Sequence, residues 1–156
     1  MSVVFRIAKS QYIKDKSGEG SFKYGGRWVP EGYRVLYASE SRALAFCECM
    51  ANLGFSQRPS ELALMEIEIP ANIKVKTIQV KDLSKNWKKP SANECREIGK
   101  EWLMEGKFAI LKVPSVIIQA EFNFVINVGH PDFKTIGFAR SQNFFPDDRF
   151  LQGLRK

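Results

Sequence analysis

The chain has 156 residues, 44% hydrophobic and 26% charged, a balance that excludes a disordered or fibrous chain and fits an ordinary globular fold. No apolar run approaches the roughly 20 residues a membrane-spanning helix needs, and Met1-Ser2-Val3-Val4-Phe5-Arg6 lacks the features of a secretory signal, so a cytoplasmic protein is expected. The 24 basic and 17 acidic residues leave a net charge of +7, which admits a nucleic acid, an anionic small molecule or an acidic protein segment as partner.

The predicted elements begin with a strand over Val3 to Ala8, followed by a polar, glycine-rich stretch from Lys14 to Gly26. A second strand is expected from Arg34 to Ala38, after the turn-forming Pro30-Glu31-Gly32. The clearest helix spans Glu40 to Leu53, with Ser39 as its N-cap and Gly54 as its stop. Leu62 to Ile69 reads as a strand with Met65, Ile67 and Ile69 on one side, and Ile73 to Val80 as another. A second helix covers Asn93 to Glu105, turning Ile98, Trp102 and Leu103 inward and ending at Gly106. Four strands complete the reading: Phe108 to Val113, Ser115 to Ala120, Phe122 to Val128 and Thr135 to Ala139. Strands outnumber helices without alternating regularly with them, which predicts an α+β fold.

Cys47, Cys49 and Cys95 have no disulfide or metal-ligand spacing and read as small apolar thiols of a reducing compartment. No Cys, His, Asp or Glu cluster has metal-ligand spacing, and no phosphate-binding glycine fingerprint occurs. With one histidine, His130, set before Pro131 as a turn residue, a nucleophile–histidine triad has little support.

A few residues sit where their chemistry is costly. Glu48 lies mid-helix with Leu44, Ala45, Ala51 and Asn52 as its helical neighbours. Two readings fit it: a glutamate at the edge of the apolar stripe reaching solvent, or a carboxylate held at a pocket to stabilise positive charge. Arg6 interrupts an apolar strand, an expensive place for a guanidinium without an anionic partner. Arg27 follows Gly25-Gly26 and precedes Trp28, as a surface loop arginine or as a phosphate grip. Ser115 in Val113-Pro114-Ser115 reads as a turn hydroxyl. Asn123 and Asn127 share one face of a strand, which requires hydrogen-bond partners for both amides.

In order, Phe5-Arg6-Ile7, Gly25-Gly26-Arg27-Trp28, Tyr37-Ala38-Ser39-Glu40, Ala45, Glu48, Ile69-Pro70, Gly99, Trp102-Leu103, Val113-Pro114-Ser115, Asn123, Asn127 and His130-Pro131-Asp132-Phe133 resemble the RES domain, across nearly the whole chain as one domain over residues 1–156. The family pattern carries asparagine where this chain has Val29. The resemblance implies a split, mixed β-sheet with flanking helices, similar to ADP-ribosyltransferases. It implies a toxin that consumes NAD by hydrolysis, by phosphorolysis or by transfer of ADP-ribose to a protein. NAD is then substrate, with no cofactor or metal, and the protein partner is an Xre-family antitoxin covering the active site. Any nucleic acid would be reached only through that antitoxin, no membrane is involved, and a homodimer is left open. The family's functional positions fall on Arg6, Arg27, Tyr37, Glu48 and Ser115, with Glu48, Arg6 and Ser115 as the catalytic set and Arg6, Arg27, Tyr37, Ser115 and Asn127 as NAD contacts.

Two rivals remain at this point. A nucleic-acid-binding or RNA-cleaving toxin would use aromatics among basic residues, as in Trp87-Lys88-Lys89 and Phe22-Lys23-Tyr24. A non-catalytic binding module would need Arg6, Arg27 and Glu48 to be structural ion-pair residues.

Overall fold

The computed structural model describes residues 1–53 and 61–150, so Gly54, the expected helix stop, lies outside the described residues. Its strands are β1 (Ser2–Lys9), β2 (Val35–Ser39), β3 (Leu62–Ile69), β4 (Val75–Thr77), β5 (Ile110–Pro114), β6 (Phe122–Asn127) and β7 (Gly137–Phe144). Its helices are α1 (Glu19–Tyr24), α2 (Arg42–Leu53) and α3 (Glu94–Glu105). The strands form one sheet in the order β4-β5-β6-β2-β1-β3-β7. β4 and β5 run parallel and every other neighbour pair is antiparallel, so the sheet is mixed and the fold is α+β, as expected.

The sheet is split at one place. β1 and β3 share eight register pairs, whereas β1 and β2 meet at a single one, Phe5 opposite Ser39. Two half-sheets, β4-β5-β6-β2 and β1-β3-β7, therefore join at a narrow seam.

Strand alternation distributes the core. Leu36 and Ala38 of β2 pack with Val4, Met65, Ile67, Ile69, Ile110 and Ile126, confirming the predicted face of β3. Val35 of β2 packs with Leu111, Val113 and Val125, the three tryptophans, and Val29, which is fully buried. Val29 thus fills core where the family pattern has an amide. Phe5 and Ile7 of β1 pack with Leu62, Leu64 and, on α2, Ala45 and Cys49. Burial pushes the Cys49 and Cys95 thiols up in pKa, with Arg6 and Arg27 partly offsetting this, and all three cysteines are free. α3 lies on the Trp28 backbone so closely that a Cβ on Gly99 would fall 1.6 Å from the Trp28 carbonyl oxygen.

The structure departs from the sequence reading at several elements, each with a local cause. The stretch Lys14 to Gly26 contains α1, a short helix bounded by Gly18 and Gly25 in left-handed backbone. α2 begins at Arg42 because Ser41, not Ser39, caps it: the Ser41 hydroxyl accepts the Leu44 amide at 3.0 Å. Ser39 and Glu40 are taken instead by β6, and the Glu40 carboxylate accepts the Phe122 amide. Ser115 to Ala120 is not a strand, since Ser115 gathers the amides of Ile117 and Ile118 into a turn and Ala120 has φ 71°. Ile73 to Val80 keeps only the three residues that lie beside β5. Pro131–Thr135 forms a 3-10 turn, with the His130 ring accepting the Asp132 amide, and this delays β7 to Gly137. Among the described residues no helix is long and apolar enough to cross a membrane.

Candidate active site

The seam gathers the polar residues. Glu48 projects from α2, and its Oε1 accepts two hydrogen bonds, from Ser115 Oγ at 2.8 Å and from Asn123 Nδ2 at 2.6 Å. Ser115 follows β5 and is 3% exposed. Its oxygen accepts the Ile117 and Ile118 amides at 3.0 and 3.1 Å, so its one proton goes to Glu48. Asn123 opens β6 opposite Ser39, and its Oδ1 accepts the Ser39 hydroxyl at 2.7 Å. Glu48 is thus held from β6 and from the turn after β5 through one oxygen, and both bonds leave Oε2 untouched. A carboxylate fixed in this way is half-buried rather than a solvent-facing edge residue.

Arg6 lies at the same junction, on β1. Where β1 and β2 diverge, its Nη1 donates to the Tyr37 carbonyl at 3.1 Å, taking the place of a ladder bond. Its Nε is buried with no partner among the described residues. Burial lowers the Arg6 pKa from its ordinary value, and Cys49 and Asp15 offset part of that effect, yet a guanidinium stays charged. Tyr37 sits between Arg6 and the glycine loop. Its carbonyl receives Arg6, while its hydroxyl lies so near Gly26 that a Cβ there would approach within 2.6 Å. Gly26 is therefore glycine for close contact. Burial pushes the Tyr37 phenol well above its ordinary pKa; the nearby amides of Trp28 and Val29 offset this slightly without forming a well-aligned bond.

Arg27 has a different setting. Its two terminal nitrogens donate to the Trp87 and Lys88 carbonyls at 3.2 and 3.4 Å, fastening the segment before α3 to the glycine loop. From α3, Arg96 Nε donates to the Gly26 carbonyl at 3.1 Å. Trp87 itself is 3% exposed and packs on Trp28 at 6.4 Å, so it is core and not a stacking platform for bases.

The structure therefore brings Glu48, Ser115, Arg6 and Tyr37 to the seam, with Arg27 on the flank behind Tyr37. Asn127 is placed elsewhere. It pairs with Val35 at the far end of β6, about 13 Å from Asn123 by strand rise. Its side chain accepts the Gly129 amide at 2.9 Å in a local turn. A surface cavity of about 460 Å³ opens at that end, lined by Tyr33, Arg34, Leu103, Met104, Asn127 and His130 among others. It touches none of the Glu48 partners. Asn123 and Ser39 are the site residues that the sequence reading did not assign. The available signal for Asn123 was an amide on the face of a half-buried strand; for Ser39, the signal pointed to a helix cap. Among the described residues no group of three His, Cys, Asp or Glu could hold a metal ion.

A mixed, split sheet with a carboxylate, a buried guanidinium and a tyrosine at the split defines a class of α+β domain with a candidate site between its half-sheets. The sequence pattern of the RES domain matches residues 3–147, and the chain belongs to the RES domain family. It is 31% identical over 156 residues to a protein named toxin Res from Photorhabdus laumondii, covering 98% of this chain and 99% of that one. It is 32% identical over 148 residues to the Prs ADP-ribosylating toxin of a Sphingobium strain, covering 93% and 92%. Its fold is similar to one in the crystal structure of the M. tuberculosis MbcT–MbcA toxin–antitoxin complex, with TM-score 0.68, 17% identity and coverage of 99% of this chain and 88% of that chain.

Proposed function

We propose that this protein is the toxin of a toxin–antitoxin pair and breaks the nicotinamide–ribose bond of NAD. The observation that carries the reading is Glu48, a carboxylate fixed through Oε1 by Ser115 and Asn123 with Oε2 left for a ligand. Nicotinamide leaves NAD as a neutral ring, so little acid catalysis is needed. The barrier lies in the oxocarbenium-like ribose, as in glycoside cleavage. Glu48 stabilises that cation and holds a ribose hydroxyl. Arg6, with an unpartnered buried N–H, receives the pyrophosphate, because a buried donor left unmade is costly and an anion satisfies it. Tyr37 offers its half-buried ring to the nicotinamide. Arg27 shapes the phosphate side of the cleft by holding the segment at Trp87 and Lys88 in place. Ser115 serves Glu48.

With water as acceptor, the C–N bond breaks, a C–O bond forms, and the products are nicotinamide, ADP-ribose and a proton. Inorganic phosphate would give the phosphorylated ribose instead. The Sphingobium relative, named an ADP-ribosylating toxin, favours a second reading in which a protein side chain accepts the ADP-ribose. The antitoxin partner would be an Xre-family protein whose acidic segment covers the cleft of this +7 chain.

The test is incubation of purified protein with NAD, with and without phosphate, and product identification by mass. A fixed charge at a developing cation is worth on the order of 3–4 kcal/mol, so Glu48→Gln is expected to stay folded and lose roughly 100- to 1,000-fold in kcat. Near-wild-type turnover from a folded Glu48→Gln protein ends the reading.

A further inference from the structure

Ser39 is 3% exposed, with Ser115 the most deeply buried of the polar residues described, and among the described residues it stands at the single register pair joining the half-sheets. Its neighbours across the ladders are Phe5 on one side and Asn123 on the other. An amide side chain has a donor end and an acceptor end of nearly equal shape, so its orientation is decided by what each end meets. A carboxylate only accepts. With Glu48 at 2.6 Å, the NH2 end of Asn123 must face it, which turns Oδ1 toward Ser39 at 2.7 Å. Ser39 must then be the donor. If the amide turned over, its oxygen would meet the carboxylate and repel it.

We propose that Ser39 is a positioning residue for the reaction at Glu48, acting through Asn123: its hydroxyl proton, accepted by Asn123 Oδ1, anchors the amide that the carboxylate orients and so fixes the place from which Nδ2 donates to Glu48 Oε1. Ser115 holds the same oxygen from the other side. Rotation of the carboxyl group is thereby stopped and Oε2 keeps one direction. This inference rests on the reading of Glu48 as the carboxylate that faces the ribose cation. Hydrogen bonds in a chain reinforce one another, and residues in one network are non-additive when mutated.

Steady-state NAD cleavage by the full chain tests it, with Ser39→Ala, Ser39→Thr, Asn123→Ala and the Ser39→Ala/Asn123→Ala double variant. Ser39→Ala is expected to lower kcat about 10-fold with KM within about twofold, and Ser39→Thr to restore it. The double variant is expected to fall no further than Asn123→Ala. An unchanged kcat in Ser39→Ala, or losses that multiply in the double variant, overturns the inference. Should Ser39→Ala not fold, Ser39→Cys, a weaker donor of similar size, replaces it.

A second measurement needs no activity. Thermal midpoints of wild type, Ser39→Ala, Glu48→Gln and their double form a cycle in which the Ser39 loss shrinks once position 48 carries an amide, because a neutral partner no longer dictates how Asn123 sits. Equal midpoint drops in both backgrounds overturn the relay itself. Wild-type protein inert toward NAD, together with a shrunken drop, overturns the reading of Glu48 and leaves the relay standing.

Discussion

The two ends of β6 carry the same residue on the same face and do different work. At one end Asn123 spends both ends of its amide on Ser39 and Glu48. At the other, Asn127 closes its own turn onto the Gly129 amide beside the 460 Å³ surface cavity. Concavity marks one end and a closed circuit of polar contacts marks the other. The comparison teaches that in this fold volume and polar convergence part company: the described cavity lies at one end of β6 and the polar network at the other.

The sharpest way to test the cavity end of that comparison is through α3, whose middle packs on Trp28 and whose C-terminal residues line the cavity. Gly99→Ala forces a methyl into the Trp28 carbonyl, and backbone cannot yield cheaply. A loss of about 3 kcal/mol or more in denaturant unfolding is expected, or failure to fold. A variant of native stability would show that α3 is free to shift on the Trp28 backbone. Next comes Arg27→Lys, which keeps the charge and loses the fork across two carbonyls. A stability loss of about 1–2 kcal/mol is expected, since hydrogen bonds from a charged donor are partly screened at this half-exposed site. Greater protease sensitivity of the segment around Trp87 would accompany it. If Arg27→Lys instead raised KM for NAD with stability intact, Arg27 would contact substrate directly.

Asn127→Ala is expected to cost about 1 kcal/mol through its turn and to leave kcat within twofold, in contrast to Asn123→Ala. Equal kcat losses from the two asparagines would erase the distinction drawn here. The smallest effect at neutral pH belongs to Tyr37→Phe, because the phenol has no well-aligned partner. It has an alkaline signature. Burial raises the folded pKa, so above roughly pH 10 the unfolded chain ionises while the native one resists. The contribution is fully present below that point and is lost as pH rises, and Tyr37→Phe is expected to flatten the fall in unfolding free energy.

Much of this molecule was legible from residue order. Alternation located β1, β2, β3 and β6 within a residue or two, and periodicity with Gly106 located α3. The RES resemblance pointed to Arg6, Arg27, Tyr37, Glu48 and Ser115, of which Glu48 is bonded to Ser115 and Arg6 to the Tyr37 carbonyl, while Arg27 bonds elsewhere. Where the structure departs from that reading, the cause is either a partner distant in sequence or a local hydrogen bond that composition does not show. Ser39 looks like a helix cap until β6, more than 80 residues away, claims its hydroxyl. Ser115 to Ala120 has strand composition, but one hydroxyl collecting two amides bends it into a turn. Asn127 shares its strand face with Asn123 and differs in closing a turn of its own onto Gly129. Arg27 reads by sequence as a loop arginine or a phosphate grip, and its terminal nitrogens meet two carbonyls some 60 residues on that no local pattern shows.

The seam has one more consequence. Strands that part company after a single pair expose main-chain carbonyls in the middle of a sheet, an internal edge onto which a foreign strand can add. Arg6 plugs that edge by occupying the Tyr37 carbonyl with a bulky cation that no incoming backbone can displace without stranding a charge. The same guanidinium therefore also does a backbone's work, completing a ladder that the divergence of β1 and β2 leaves open.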